Sequence, residues 1–95
     1  MVRFVWDRAK ARQNLAKHDV AFEDAELVWS DPFLLVNFDR IEDGEERWHA
    51  VGLSGGVVLL LVVHTYPAES DEVIRIVSAR KATKRERRAY EDGCL

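Results

Sequence analysis

The part of this chain that most constrains its fold is an uninterrupted run of seven apolar residues at positions 57–63. The run is far shorter than the roughly 20 residues that a membrane-spanning helix needs. It is rich in valine and leucine and follows the turn sequence Ser54-Gly55-Gly56. A short segment that is apolar at every position is typical of a strand covered on both faces. We therefore predict that residues 57–65 form the central strand of a sheet with packed layers on both sides.

Capping and turn residues divide the rest of the chain into helices and strands. Asp7 and Thr83 are good N-cap residues, and Thr83 forms a capping-box sequence with Glu86. Pro32 ends a helix, because the residue before proline avoids helical geometry. Strands that are joined by short loops pair antiparallel. We predict an α+β fold, with a curved antiparallel sheet on which two N-terminal helices and one C-terminal helix pack. The predicted strands are residues 3–6, 34–38, 47–53, 57–65 and 73–79, and the predicted helices are residues 8–17, 21–30 and 84–92.

The composition indicates one domain over residues 1–95 that works in the reducing cytoplasm. Apolar residues make up 47% of the chain, enough for one core and too much for a disordered protein. Cys94 is the single cysteine, so no disulfide within the chain can form. The N-terminal sequence lacks the apolar run of a signal peptide, and no segment predicts membrane insertion.

Charge is segregated along the chain, although the net charge is only −3. Residues 1–18 hold five basic residues and one acidic residue, whereas residues 19–46 hold ten acidic residues and one basic residue. Residues 80–95 are basic again, with six basic and three acidic residues. A nucleic-acid-binding protein carries a basic face more than a basic total. The two ends would form such a face if they meet in the fold; otherwise they are solvated surface.

The last strand and helix bring cations and one phenol to the same region, which makes a candidate anion site. Arg80 and Lys81 end the predicted strand, and Tyr90 lies on the helix that follows. Arginine suits bidentate contact with phosphate. Regular alternation along the strand puts Arg75 and Arg80 on opposite faces, so they form a single clamp only if a bulge intervenes.

RNA cleavage is the specific chemistry that these residues allow. The histidines are scattered without metal-ligand spacing, and no phosphate-binding loop is present, so we predict no metal or cofactor. Attack of a ribose 2′-hydroxyl on its own phosphate needs cations, a proton acceptor and a proton donor. His18, His64 and Tyr90 are candidates for proton transfer. Tyr90 also suits core anchoring, and His64 a hydrogen bond to a loop. Arg47 and His49 share one face of their strand, where we expect solvated positions.

Motifs at both ends and in the middle of the chain resemble those of BrnT-type toxins. The pattern FxWDxxKxxxNxxKH near the start is followed by VAFEDA, and the chain closes with IRIVSARKATKRERRAYE. Arg47 with Val51-Gly52 resembles the middle segment of that family. One departure is Asp19, where the family commonly has glycine; aspartate tolerates the left-handed conformation of a helix end. The matching residues of the first motif are Phe4, Trp6, Asp7, Lys10, Asn14, Lys17 and His18.

The resemblance implies a ribonuclease toxin of a type II toxin-antitoxin system, with a RelE-like fold and inhibition of translation. It implies a BrnA-type ribbon-helix-helix antitoxin as partner, in a heterotetramer with a toxin on each side of an antitoxin dimer. Operator DNA is then bound only through the antitoxin. Guided by this family, we predict catalytic roles for His18, His64, Arg80 and Tyr90. We predict RNA-phosphate contacts from Lys10, Lys17, Arg47, Arg75 and Lys81.

Two other function classes stay open from the sequence. The chain could be a binding module without catalysis, which occupies the antitoxin and thereby regulates the operon. It could also be a self-associating structural domain, since three tryptophans in a β-rich fold can leave an apolar patch for a partner.

Overall fold

A computed structural model of the protein describes residues 2–94. These residues form a five-stranded sheet with helical segments between its first two strands and one helix after its last strand. No helix in this range is long and apolar enough to cross a membrane. In chain order the elements are β1 (Arg3–Val5), α1 (Arg8–His18), α2 (Phe22–Ala25), a 3₁₀ helix (Glu26–Ser30), β2 (Leu35–Glu42), β3 (Glu45–Ser54), β4 (Val58–Thr65), β5 (Val73–Lys81) and α3 (Lys84–Asp92).

The sheet is mixed, which corrects the prediction of an antiparallel sheet. Its strand order is β1-β5-β4-β3-β2, and the four later strands pair antiparallel as predicted. β1 instead pairs parallel with β5, with Phe4 opposite Ile74. The rule that neighbours in sequence pair antiparallel holds for strands joined by short loops. The rule does not apply to β1, because three helical segments separate this strand from the next one.

The strand that the apolar run predicted lies at the centre and is buried from both sides. On one face, α1, α2 and the 3₁₀ helix cover Leu60 and Val62. On the other face, Leu59 and Leu61 pack with Tyr90 of α3. We call these two sides of the sheet the helix face and the α3 face. The prediction of a central, doubly covered strand is confirmed.

The capping predictions are confirmed, while one helix and one hairpin differ from the prediction. Asp7 accepts a hydrogen bond from the backbone of Lys10, and Thr83 with Glu86 completes a capping box. Asp19 adopts a left-handed conformation (φ 57°), so the fold accommodates the departure from glycine. The predicted helix at residues 21–30 is a short α2 followed by a 3₁₀ turn. β2 and β3 extend through the acidic segment that we predicted as a loop, up to the turn at residues 43–44.

The buried side chain of Asn14 hydrogen-bonds the backbone of β5 on the side where no neighbouring strand pairs with it. β1 ends at Val5, so the later part of β5 has no strand on that side. The Asn14 amide donates to the carbonyls of Ala79 (2.8 Å) and Val20 (3.0 Å), and its oxygen accepts from the Ala79 N–H (3.0 Å). One side chain thus supplies the bonds that a neighbouring strand would supply, and it ties α1 to β5.

We expect Asn14→Ala to lower the free energy of unfolding by about 1–3 kcal/mol. The substitution leaves buried backbone groups of Ala79 and Val20 without partners, and each unsatisfied group carries a penalty of this order. Urea unfolding followed by circular dichroism measures the change. Gln13→Ala, one residue away and exposed, is the matched control and should behave like the wild type. Equal stability of both variants would contradict this role for Asn14.

Candidate functional site

A β-bulge in β5 brings Arg75 and Arg80 to the same face of the sheet. Val63 of β4 pairs with Ser78, but the next residue, His64, pairs with Ile76, so Val77 is an extra residue in β5. The bulge inverts the alternation beyond it. Regular alternation placed the two arginines on opposite faces, and that prediction is wrong because of this single inserted residue.

The register shows that this shared face is the α3 face. Arg80 lies opposite Leu61, and Arg75 lies opposite Thr65, four residues further along the regular strand β4. Because Leu61 packs in the cluster under α3, both arginines are on the α3 side of the sheet.

Arg47 and His49 of β3 join the two arginines on the α3 face. His49 pairs with Val63 and is two residues from Val51, which packs in the same cluster as Leu61. Trp48 pairs with His64, so continuing the register by one residue sets Arg47 beside Thr65. Arg47, Thr65 and Arg75 therefore form one row across β3, β4 and β5. Neighbouring strands are about 4.8 Å apart, which puts the backbones of the two arginines about 10 Å from each other. We call Arg47, His49, Arg75 and Arg80 the basic group of the α3 face.

Each member of the basic group is paired with a carboxylate. Three of these pairs lie at the β2–β3 hairpin: Arg47 with Glu42 (3.3 Å), Arg75 with Glu45 (3.5 Å) and His49 Nε2 with Asp39 (3.0 Å). The carboxylate in each pair keeps its basic side chain oriented. A phosphate that binds the same side chain would have to compete with this carboxylate.

Two buried polar atoms in the arginine row have no hydrogen-bond partner among residues 2–94. They are Nε of Arg47 and Oγ1 of Thr65. Buried polar atoms without partners are rare in folded proteins, and each adds an energetic cost. The row thus contains one N–H group and one hydroxyl group that form no hydrogen bond within the described residues.

His49 is the residue that sequence reasoning undervalued. Its Nε2 faces a carboxylate oxygen of Asp39, which also contacts Arg40. No hydrogen bond to Nδ1 occurs within the described part of the chain. An imidazole that is oriented by a carboxylate through one nitrogen can exchange a proton through the other. The alternation of residues 47–53 already placed His49 beside Arg47, and that was the available signal.

Arg80 is tied to the start of α3 by a bidentate ion pair. Its two terminal nitrogens donate to the carboxylate oxygens of Glu86 at 2.8 and 2.9 Å. Hydrogen bonding from Arg80 is the main reason that the pKa of Glu86 is lowered, and the same bond raises the pKa of Arg80. Glu86 also caps the helix through the Thr83 N–H, so the arginine is fixed in place by the capping box.

The predicted catalyst His64 lies in the core on the opposite face of the sheet. It is 0% exposed and packs edge-to-face against Trp29. Its Nδ1 lies 3.3 Å from the Val62 carbonyl and its Nε2 lies 3.1 Å from the Tyr66 hydroxyl. Burial lowers its pKa to about 4, more than the bond to Val62 raises it. A side chain without solvent access, on the face of the sheet opposite the basic group, cannot reach a ligand on the α3 face, so we do not retain His64 as a catalytic candidate.

The predicted catalyst Tyr90 anchors α3 to the sheet. Its hydroxyl donates to Asp31 at 2.6 Å, and Asp31 also accepts from the backbone N–H groups of Phe33 and Leu53. Burial and this carboxylate raise the pKa of Tyr90 to about 12. Burial acts to raise the pKa of Asp31, but the three hydrogen bonds together lower it. The Tyr90 hydroxyl thus makes a structural contact, which agrees with the anchoring role that its place in the sequence also suited.

The remaining predicted cations lie away from the basic group. Lys81 pairs opposite Leu60, so it belongs to the helix face, and Arg80 and Lys81 do not act as neighbours. Lys10, Lys17 and His18 line a groove of about 260 Å³ between α1 and the bulge of β5. The predicted cations thus lie on the α3 face (Arg47, Arg75 and Arg80), in this groove beside α1, which we call the α1 groove, and on the helix face (Lys81).

Within residues 2–94 no cluster of three or more His, Cys, Asp or Glu side chains has the geometry to hold a metal ion. The geometry of the basic group suits an anion instead, since arginines and an imidazole converge on one sheet face.

Comparison with known proteins assigns the chain to a family. A family model described as the ribonuclease toxin BrnT of a type II toxin-antitoxin system matches residues 6–86. The 1.1 Å crystal structure of the Brucella abortus ribonuclease toxin BrnT resembles this fold with a TM-score of 0.62. The two chains are 23% identical, and the alignment covers 88% of this chain and 100% of the Brucella chain. No curated protein sequence matches. Since the family model spans most of its length, this chain belongs to the family of BrnT ribonuclease toxins of type II toxin-antitoxin systems.

Proposed function

We propose that this toxin is an endoribonuclease that cleaves RNA on the α3 face without a metal ion, and thereby inhibits translation in the cytoplasm. The observation that carries the proposal is the bulge of β5, which gathers Arg75 and Arg80 beside Arg47 and His49. Family membership supports a ribonuclease toxin with an antitoxin partner. We further propose a RelE-like relationship, which the antiparallel strands β2–β5 with flanking helices support.

The proposed reaction uses the 2′-hydroxyl of the substrate as nucleophile. His49 takes the hydroxyl proton on Nδ1 while Asp39 holds its Nε2–H. The 2′ oxygen forms a bond to phosphorus and the bond to the 5′ oxygen breaks, which leaves a cyclic phosphate and a 5′-hydroxyl. The 5′ oxygen takes its proton from a second donor, for which water suffices. Arginines contribute most in the transition state, where negative charge accumulates on the phosphoryl oxygens.

The other predicted cations have supporting roles in this proposal. Arg47, Arg75 and Arg80 contact the phosphate that reacts. Lys10, Lys17 and His18 hold flanking phosphates in the α1 groove, so RNA crosses the edge of β5 at its bulge. Lys81 is a further phosphate contact next to that groove. His64 and Tyr90 maintain the fold around the site.

We also propose that a BrnA-type antitoxin neutralises the toxin in a heterotetramer and provides all contacts to operator DNA. Membership of a type II family supports an antitoxin partner. The net charge of −3 supports DNA binding by the antitoxin alone, because binding to duplex DNA needs an extended basic surface.

We expect the double variant Arg47→Ala, Arg75→Ala to bind a 2′-O-methyl RNA, which cannot be cleaved, about tenfold more weakly. Binding that depends on phosphate contacts weakens with salt, with a slope of about −0.7 per contact for single strands. The salt dependence of the variant should therefore fall by about 1.4 in slope. Fluorescence anisotropy over a range of salt concentrations measures both quantities.

Arg8→Ala with Arg12→Ala removes the same charge from exposed positions of α1 and is the matched control. An equal loss in both double variants would show non-specific attraction and would contradict a site on the α3 face. Expression of the wild type without antitoxin tests the function itself: intact RNA and normal growth would refute the toxin proposal for this chain.

A binding module without catalysis is the second candidate, and the carboxylates of the site favour it. Each member of the basic group already has an acidic partner, so the face carries less free positive charge than its arginines suggest. RNA titration separates the two functions. Salt-sensitive binding without any cleavage product would favour the module.

A further inference from the structure

An aromatic row remains partly exposed on the helix face, at the end that the helices leave uncovered. It consists of Phe38, Trp48 and Tyr66, which pack edge-to-face with ring centroids 5.6 and 5.7 Å apart. Phe38 is 50% exposed. The helical layer ends at Trp29, which contacts His64. Exposed aromatic groups of this kind are typical of interaction surfaces.

Two members of the row form the floor of a groove with acidic sides. Trp48 and Tyr66 line an open cavity of about 590 Å³ together with four acidic residues, Glu45, Glu46, Glu69 and Asp71. Glu46, Glu69 and Asp71 are exposed, and none of these three forms an ion pair with a cation of residues 2–94. Asp71 is close enough to Tyr66 to add to the rise in its pKa, which is caused mainly by burial.

The negative charge of the groove indicates which kind of ligand it binds. RNA bases could stack on the aromatic rings, but the three carboxylates would repel the phosphates that accompany every base. A lysine or arginine side chain fits both features, because its aliphatic stem packs on an aromatic ring and its cation meets the acids. Arginine and aromatic residues are also the types that are enriched in protein interfaces.

We propose that the aromatic row and its acidic sides are a docking surface for an arginine- or lysine-bearing segment of the antitoxin. This inference rests on the proposed toxin function, for which a type II antitoxin is the protein partner. The row and the basic group are on opposite faces of the sheet. Glu45 also lines this cavity and pairs with Arg75 at 3.5 Å, so the antitoxin segment would bind next to the basic group, from the other side of the sheet.

The test is charge reversal in the full chain by Glu46→Lys with Asp71→Lys. We expect isothermal titration with the cognate antitoxin to show an affinity at least tenfold lower than that of the wild type. The variant should still arrest growth when it is expressed without antitoxin, and co-expressed antitoxin should no longer rescue the cells fully. Both residues are exposed, and a thermal melt checks that the fold is retained.

The matched control is Glu91→Lys with Asp92→Lys on α3, which makes the same charge change at exposed positions on the other face of the sheet. Unchanged antitoxin affinity of the groove variant, or an equal loss in the control, overturns the inference. Loss of RNA cleavage with normal antitoxin binding also overturns it and assigns the row to RNA. If the wild type cleaves no RNA, the proposed function fails, while the antitoxin titration still decides the docking surface.

Discussion

Replacing His49 with alanine should slow RNA cleavage by about 10²–10⁴-fold, the range that general acid–base catalysis contributes. The imidazole lies on the α3 face beside Arg47 and is oriented by Asp39 at 3.0 Å. The substitution removes the proton acceptor but none of the proposed phosphate contacts. Affinity for 2′-O-methyl RNA should therefore change little, whereas single-turnover cleavage should nearly stop. Asp39→Asn should give a smaller loss, because the amide still positions the ring while it stabilises the protonated form less.

His18→Ala is the matched control for this prediction. It removes an imidazole that the family resemblance also proposed as a catalyst, but one that lies in the α1 groove. We expect it to weaken RNA binding and to leave the rate at saturating RNA close to that of the wild type. A rate loss at saturation for His18→Ala, with normal cleavage by His49→Ala, would move the chemistry to the α1 groove.

Those parts of the fold that depend on local sequence were predictable. The apolar run at 57–63 identified β4 as the central strand, and its burial from both sides confirms this. The capping residues Asp7 and Thr83 identified the start of α1 and α3, because an N-cap side chain satisfies groups within its own first turn. Such signals involve residues that are three or four positions apart, so one sequence is enough to read them.

The parts that the sequence did not reveal depend on pairing between distant residues. β1 adds parallel to β5 across almost the whole chain, and no local pattern of residues 3–5 indicates that partner. The bulge at Val77 likewise depends on how β4 and β5 pair, since the sequence of each strand alone is typical of a regular strand. This one residue decided the site: without it, Arg75 would lie with the core residues of the helix face.

Individual site residues were difficult to assign because exposure and hydrogen-bond partners are tertiary properties. The sequence favoured His64, at the end of a strand, as a catalyst and placed His49, in the middle of a strand, at a solvated position. The structure buries the first behind Trp29 and leaves the second at a sheet face with a carboxylate partner. Tyr90 was open between catalysis and anchoring, and Asp31, 59 residues away, holds its hydroxyl.

Two side-chain contacts of α3, one hydrogen bond and one ion pair, also connect the fold to the proposed chemistry. Tyr90 with Asp31 fixes one end of the helix, and Glu86 with Arg80 fixes the other. An RNA phosphate that binds Arg80 competes with Glu86, which is at the same time part of the capping box. In the proposed mechanism, substrate binding on the α3 face is therefore coupled to the start of α3, and we expect this helix to loosen in response.

Lowering the pH from 7 to about 4 should reduce the free energy of unfolding by about 3 kcal/mol through His64 alone. Burial lowers the pKa of His64 from 6.5 to about 4. Between these values the unfolded chain binds a proton that the folded chain does not bind, so acidification favours the unfolded state. The loss begins near pH 6.5 and is complete near pH 4. Asp31 and Glu86 have lowered pKa values, and their own losses begin as the pH falls through the ordinary values of 3.8 and 4.5.

Urea unfolding at intervals from pH 7.5 to 4.5 measures this dependence, with His64→Phe as the test variant. Phenylalanine keeps an aromatic ring next to Trp29 and Tyr66 but cannot be protonated. It loses the bonds to the Val62 carbonyl and the Tyr66 hydroxyl, so its stability at pH 7 should be lower. Its stability should nevertheless be nearly constant down to pH 5, whereas the wild type should lose stability over the same range. A flat profile for the wild type, or an equal loss of stability in His64→Phe, would show that His64 is not the buried neutral imidazole described above.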